Sequence, residues 1–302
     1  MRPAIMLKSL IFPVVSIGSL AIFASLLSTG LAPGLAILAV SIGSLTVVAG
    51  LEVAFPFRPE WGWWKDWQTI NDLIHGLLLS VVGPRLGEIA LASLIAAGSA
   101  ALATSDGGVL WPTGWPLWGQ LALAIIFADF ADWAKHWAYH RLAFAWPIHA
   151  LHHNVEQMHV AKAARLNFIE ATIRFAIINV PLLILGAPAE VFIWHAAIIT
   201  VFGNLNHSNV DMPMPDFVHY LFASPKNHWL HHARDPDLGG SNMSLLTMLP
   251  DLIFGTFRHP AKYPFTDVGI DNNRIPSNVV GQLAAPLLWP WLKPKTQENH
   301  LS

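Results

Sequence analysis

Asp129-Phe130-Ala131-Asp132-Trp133-Ala134-Lys135-His136-Trp137-Ala138-Tyr139-His140 runs out of an apolar segment that begins at Trp115. On a helix His136 and His140 lie one turn apart on one face, the spacing two imidazoles need to reach a single site. Asp129 and Asp132 continue that face, where a carboxylate can accept the far ring N–H of a ligand histidine and so fix its tautomer. A helix that starts in lipid and ends in metal-ligating side chains predicts an all-α membrane protein with its site beyond the span ends.

The rest of the composition agrees. Of the 302 residues, 54% are hydrophobic and 12% charged, and mean hydropathy is +0.46. Soluble chains carry about 25% charged residues, so this one has too few to cover a water-facing surface. The net charge of −2 shows no basic excess, which argues against nucleic acid as a partner. Cysteine is absent. That excludes disulfides, thiolate-bound zinc, iron–sulfur clusters and a haem-thiolate oxygenase, leaving histidine and carboxylate as metal ligands.

A span needs about 20 mainly apolar residues. Ser9 to Gly30 and Leu35 to Phe55 meet this, separated by a Gly/Pro turn, and the first reads as a retained anchor rather than a cleaved signal. Thr69 to Ala103 is a third apolar stretch, broken at Gly83-Pro84. As a helix it would run about 50 Å, so part of it is expected along the interface. Trp115 to Phe130 is a fourth, and Phe168 to Leu185 with Ala189 to Asn204 form a hairpin around Gly186-Ala187-Pro188. The expected architecture is about four spans plus this transmembrane hairpin, with a cytoplasmic helical cap holding the histidines. Residues 1–66 form an N-terminal helix pair and interfacial segment, and 67–302 the membrane domain with its cap.

The turns at 30–34 and 186–188 and the loop at 104–114 contain no Lys or Arg, whereas Arg2, Lys8, Lys135, Arg141, Lys226 and Arg234 all fall on the other side. The positive-inside rule places both termini and the histidine motifs in the cytoplasm. Arg85, near Glu88, does not fit this division. Trp61-Gly62-Trp63-Trp64-Lys65-Asp66-Trp67 reads as an interfacial belt. The Pro-rich stretch after Asp251 reads as an irregular tail packed on the cap.

Two further motifs follow the first. In Trp146-Pro147-Ile148-His149-Ala150-Leu151-His152-His153, Pro147 suits a first helical turn. His152 and His153 then diverge by about 100°, so that one helix can serve two neighbouring metals. The pattern recurs in Ser224-Pro225-Lys226-Asn227-His228-Trp229-Leu230-His231-His232, with Ser224 as N-cap. A zinc ion takes three or four protein ligands. The eight motif histidines exceed one ion and suit two. His75, His195, His219, His259 and His300 belong to no motif and are expected to be packed or hydrogen-bonded residues. Imidazole donors alone fit iron, copper, zinc or nickel.

At these motifs the chain resembles the fatty acid hydroxylase / sterol desaturase superfamily of integral membrane di-iron oxygenases. HxxxH, HxxHH and a later HxxHH stand in that order around a transmembrane hairpin, and the resemblance covers roughly Trp67 to Pro264. It implies a further histidine ligand at His207, in Asn206-His207-Ser208-Asn209-Val210-Asp211, with Asp211 as a carboxylate ligand or outer acceptor. Asn242 and Leu252 to Phe257 look like the family's closing segment and read as packing. Many relatives have Arg-x-His-Pro-x-Glu entering the hairpin. This chain has Arg165-Leu166-Asn167-Phe168-Ile169-Glu170, so Asn167 stands in the histidine's place while Glu170 and Arg165 remain for outer pairing. His159 lies near enough to the second motif to be considered beside them.

What the resemblance implies is an O2-dependent di-iron oxidoreductase with two Fe ions, whose positions zinc can take in purified protein. It would hydroxylate or desaturate a membrane lipid such as a fatty acyl chain, sterol or carotenoid. No haem, flavin or GxGxxG motif is present, so electrons would come from an external electron-transfer protein. The lipid would lie in a slot between the fourth span and the 168–204 hairpin. Two other readings use the same histidines. A zinc-dependent membrane hydrolase would need a Glu base placed as in HExxH, which the sequence lacks. A non-enzymatic metal-binding protein or transporter would face its histidines across the membrane midplane, whereas these follow span ends.

Overall fold

The computed structural model describes residues 3–81, 110–263 and 267–292. Gly83-Pro84, Arg85, Glu88 and His300 lie outside the described residues. All regular elements among the described residues are helical, with only isolated β-bridges such as Pro56 to Val210.

Helix α1 (Pro3–Ser9) leads into α2 (Ile11–Ser28), and α3 (Pro33–Ala54) returns antiparallel to it. The turn between them depends on Gly30, whose φ of 81° is left-handed and costs glycine little. Pro33 then opens α3 at a position where its missing N–H is not needed. Helix α4 (Thr69–Val81) is the described part of the third apolar stretch. Helix α5 (Leu117–Arg141) spans 25 residues, roughly 37 Å, so its last turns extend past a hydrocarbon core of about 30 Å. His136 and His140 sit on those turns. Helix α6 (Trp146–His153) follows after four residues.

The hairpin pairs α7 (Phe168–Leu185) with α8 (Ala189–Asn206). Asn167 caps α7, its Oδ1 accepting from the Glu170 N–H at 3.0 Å, and Gly186 ends it at φ 88°. Both arms pack on α5, while α8 also packs on α2 and α3. Phe12, Phe23, Val40, Val201 and Leu205 form the core of that second contact.

Four described helices are long and apolar enough to cross a membrane: α2, α3, α5 and α7. The second hairpin arm, α8, carries Glu190, His195, Asn204 and Asn206 and is less apolar. It is enclosed by protein, and Asn204 Nδ2 donates to Ser44 Oγ on α3 at 2.9 Å. This is a multi-pass membrane protein.

Beyond the spans lie the 3-10 turn Val160–Ala164, α9 (Asp216–Leu221), α10 (Pro225–His231), α11 (Pro236–Gly239) and α12 (Leu249–Phe254). The stretch after Asp251 contains more order than its prolines suggest: α13 (Val279–Leu292) packs Ala285 against Ala150 and Leu151 of α6. Pro286 and Pro290 sit inside it. The tryptophan belt also divides. Trp64 and Trp67 are exposed, but Trp61 is buried edge-to-face against Trp229 in the cap.

Candidate metal centre

The eight motif histidines and His207 converge and sort into two groups. His136, His140, His149, His153 and His231 form the first, and His152, His207, His228 and His232 the second. Within each, the nearest nitrogens all lie within 4.8 Å of one another. Adjacent residues divide between them: His152 and His153 on α6 fall in different groups, as do His231 and His232 at the end of α10. The groups are neighbours, with ring centroids of His153 and His232 4.4 Å apart.

Local structure aims each ring. Pro147 starts α6, and Ser224 Oγ caps α10 by accepting from Asn227 N–H. Backbone carbonyls then orient the imidazoles. Nδ1 of His136 donates to Met243 O at 2.6 Å, that of His207 to Gly203 O at 2.9 Å and that of His231 to Ser241 O at 2.8 Å. His152 Nδ1 faces Arg165 O at 3.4 Å, and His149 Nδ1 lies 2.7 Å from Glu170 Oε1. A carbonyl can only accept, so the contacts of His136, His152, His207 and His231 place the proton on Nδ1 and leave the lone pair on Nε2, and an ionised Glu170 does the same for His149.

The Nε2 atoms then face each other. His136 and His149 are separated by 2.8 Å, His152 and His207 by 3.2 Å, and His207 and His228 by 2.9 Å. Two lone pairs at that range repel unless one nitrogen is protonated or a cation lies between them. Protonation is disfavoured: burial pushes His207 and His231 down to about 4, and His149, His152, His153, His228 and His232 well below their usual range. The separations match the ~3.0 Å expected between neighbouring ligands on a metal with bonds of about 2.1 Å to imidazole. The buried Nδ1 atoms of His228 and His232 and Nε2 of His140 have no hydrogen-bond partner. The donor set fits two small transition-metal ions.

Several carboxylates expected beside the rings are held elsewhere. Asp129 Oδ2 accepts from Thr247 N–H at 2.9 Å and Thr247 Oγ1 at 2.6 Å. Asp132 pairs with Lys135 at 2.7 Å and Arg174 at 3.3 Å. Neither carboxylate meets a ring of the two groups, because Met243 O takes the far nitrogen of His136. Asp211 pairs with Lys8 at 2.7 Å and reaches no ring. Asn167 contacts Ile148 O through Nδ2 in addition to capping α7, so it links the two helices that carry His149 and Glu170. Of the five, only Glu170 touches a histidine.

The Arg165 guanidinium turns away to Asp72 at 2.7 Å, and Lys162 joins the same carboxylate at 2.7 Å. His159 contacts Asp66 at 3.0 Å rather than the metal groups. Burial opposes the Asp66 charge, but His159 and Lys162 outweigh it and hold the carboxyl well below its usual range. Outside the clusters, His75 bonds Gln282 and His219 bonds Ser224, as expected of packed histidines. Asp251 was missed as a site residue. Its carboxylate accepts from Met243 N at 2.9 Å and Ser244 N at 2.8 Å, fixing the loop whose carbonyl orients His136. Asn242, read as packing, holds that loop at φ 50°. A left-handed Asn beside an acidic helix residue is a weak signal, and the carbonyls give none.

A cavity of about 790 Å³ touches His136 and His149 of one group and His152, His207 and His228 of the other. Leu38, Ile42 and Leu45 of α3, Leu73 and Leu77 of α4, and Ile199 of α8 line its apolar part. Leu38, Ile42, Leu73 and Leu77 are themselves exposed, so the cavity opens sideways onto the lipid-facing surface. The slot expected between the fourth span and the hairpin therefore has α3 and α4 as further walls.

Residues 121–256, which include all nine histidines, match the fatty acid hydroxylase family. An ornithine lipid hydroxylase from Rhizobium tropici is 31% identical over 254 residues, covering 82% of this chain and 74% of that protein. The chain belongs to the fatty acid hydroxylase family. Alkylglycerol monooxygenases are also similar: that of Caenorhabditis elegans is 27% identical over 150 residues, and that of Xenopus tropicalis 24% over 147. These matches cover 49% of this chain but only 28% and 31% of the two relatives. No solved structure shows significant similarity to it.

Proposed function

We propose that this chain is an O2-dependent di-iron lipid hydroxylase that draws electrons from a separate redox protein. The observation that carries this reading is the pair of buried imidazole groups with opposed lone pairs, set in the wall of a cavity that opens toward lipid. Relatives named as a lipid hydroxylase and as monooxygenases support oxygen insertion, with a polar membrane lipid as the substrate class. In this reading His136, His140, His149, His153 and His231 hold one ion, and His152, His207, His228 and His232 the other. When bound, the iron pair supplies O2 activation and cleavage of an unactivated C–H bond, which no side chain performs.

The remaining work belongs to the protein. Met243, Gly203, Ser241 and Arg165 carbonyls and Glu170 hold protons on Nδ1, so that every Nε2 they govern is available as a ligand. The Leu38, Ile42 and Leu77 wall binds an acyl chain and excludes water from the histidines. The Lys/Arg asymmetry supports a cytoplasmic position for the histidines and both termini, where a soluble electron donor would reach them.

The test is to compare extracted lipids from cells with and without the gene, with His152→Ala as control. Gain of one oxygen by a membrane lipid, lost in the variant, is the expected result. Loss of two hydrogens would indicate desaturation instead. An unchanged lipid profile from protein loaded with iron and supplied with O2 and electrons would overturn the proposal.

A further inference from the structure

The cavity has a charged wall that the reaction above leaves unused. Lys135 Nζ at 2.7 Å and Arg174 Nε at 3.3 Å converge on one atom, Oδ1 of Asp132. All three residues line the cavity together with the histidines. Asp129, the next carboxylate on α5, is occupied by Thr247, and Glu170 by His149. The terminal guanidinium nitrogens of Arg174 have no acceptor among the described residues. Lys135 and Arg174 thus share Asp132, with the Glu170 carboxylate beside them, and the terminal nitrogens of the Arg174 fork stay available at the cavity wall. Charged side chains of a membrane protein that face a cavity rather than lipid mark binding sites.

Their position relative to the histidines is fixed by the helices. Arg174 follows Glu170 by four residues on α7, just over one turn or about 6 Å along the same face. Lys135 directly precedes His136. The apolar wall of Leu38, Ile42 and Leu77 belongs to other helices, α3 and α4.

We propose that Arg174 and Lys135 bind an anionic group of the lipid substrate, a carboxylate or a phosphate, while its chain runs out along α3 and α4. The guanidinium fork suits either oxyanion. The carbon presented to the histidines then lies close to the acidic head rather than in mid-chain. This rests on the lipid-oxidation reading but can be tested apart from it.

The test measures equilibrium binding to the full-length, metal-loaded protein in maltoside micelles. The probes are N-palmitoylglycine, its methyl ester and hexadecyl phosphate. Wild type is expected to bind at least one anionic probe about tenfold or more tightly than the neutral ester, and the preferred anion distinguishes carboxylate from phosphate. Arg174→Gln should bring that ratio close to one while leaving ester affinity in place. Arg174→Lys should keep part of it, because the charge remains and the fork does not. If Arg174→Gln aggregates, Lys135→Gln makes the same comparison. Equal binding of acid and ester by wild type, or an unchanged preference in folded Arg174→Gln and Lys135→Gln, would overturn the inference even if lipid oxidation is observed. Conversely, anion preference in a protein that never oxidises lipid would overturn the reaction and leave the anion site standing.

Discussion

At the scale of single residues, the histidines depend on acceptors behind them. Among the described residues, Glu170 is the one carboxylate in contact with a ring of the two histidine groups, at His149 Nδ1. Removing such an outer partner weakens metal binding by about 10–100-fold, so Glu170→Ala should lower affinity by that factor in a competitive chelator titration. Asp129→Asn should leave affinity unchanged, since Asp129 serves Thr247. The metal-free protein should also show a defined pH dependence. His207 and His231 protonate near 4 when folded, against about 6.5 in an unfolded chain. The unfolded chain therefore binds more protons between these values, and stability rises with pH across that window before levelling off. Thermal unfolding of metal-free protein from about pH 4 to 8 checks this, and a midpoint that falls on raising pH from 4 to 6.5 would contradict it. That the eight motif histidines gather was legible at this scale because histidine spacing on a helix fixes direction, whereas His207 came from the family resemblance alone. The acceptors were not, since Met243, Gly203 and Ser241 act through backbone atoms that carry no side-chain signature.

Elements decide which side chains remain available for the site. Asn167 stands where many relatives place a histidine, and here it is the N-cap of α7. Loss of such a cap costs about 0.5–2 kcal/mol. Asn167→Ala should therefore lower the unfolding midpoint while metal stoichiometry stays at the wild-type value. Asp72 at the start of α4 holds both Lys162 and Arg165 in a buried cluster. Breaking one partner out of such a cluster costs about 3–5 kcal/mol, so Asp72→Asn should be severely destabilised in a chemical-denaturation series. A wild-type midpoint would show that the cluster is not structural. Pro147, Ser224, Pro225 and Gly186 announced their turns and caps in the sequence. Asp72, Lys162 and Arg165 gave no such signal, because Asp72 is far from the other two in the chain and only the fold of α4 against Val160–Ala164 brings it to them. The order in α13 was hidden by Pro286 and Pro290, which a helix tolerates when its packing against α6 compensates.

Across the whole molecule, spans, ligands and cavity form one arrangement. Helix α5 crosses the bundle and delivers two histidines beyond its apolar part, the hairpin arms pack on it, and α3 and α4 complete an apolar wall open to lipid. Composition and hydropathy made the spans legible, whereas the cavity arises where seven helices meet and is written in none of them. In the proposed reading, nine histidines form two adjacent metal positions with separate ligand sets. The direct measurement is iron per chain after anaerobic reconstitution, with Mössbauer spectra, for wild type and for His228→Ala/His232→Ala. Two irons per chain are expected in wild type, with one retained in the variant at the five-histidine group. One iron in wild type, or two in the variant, would contradict the claim.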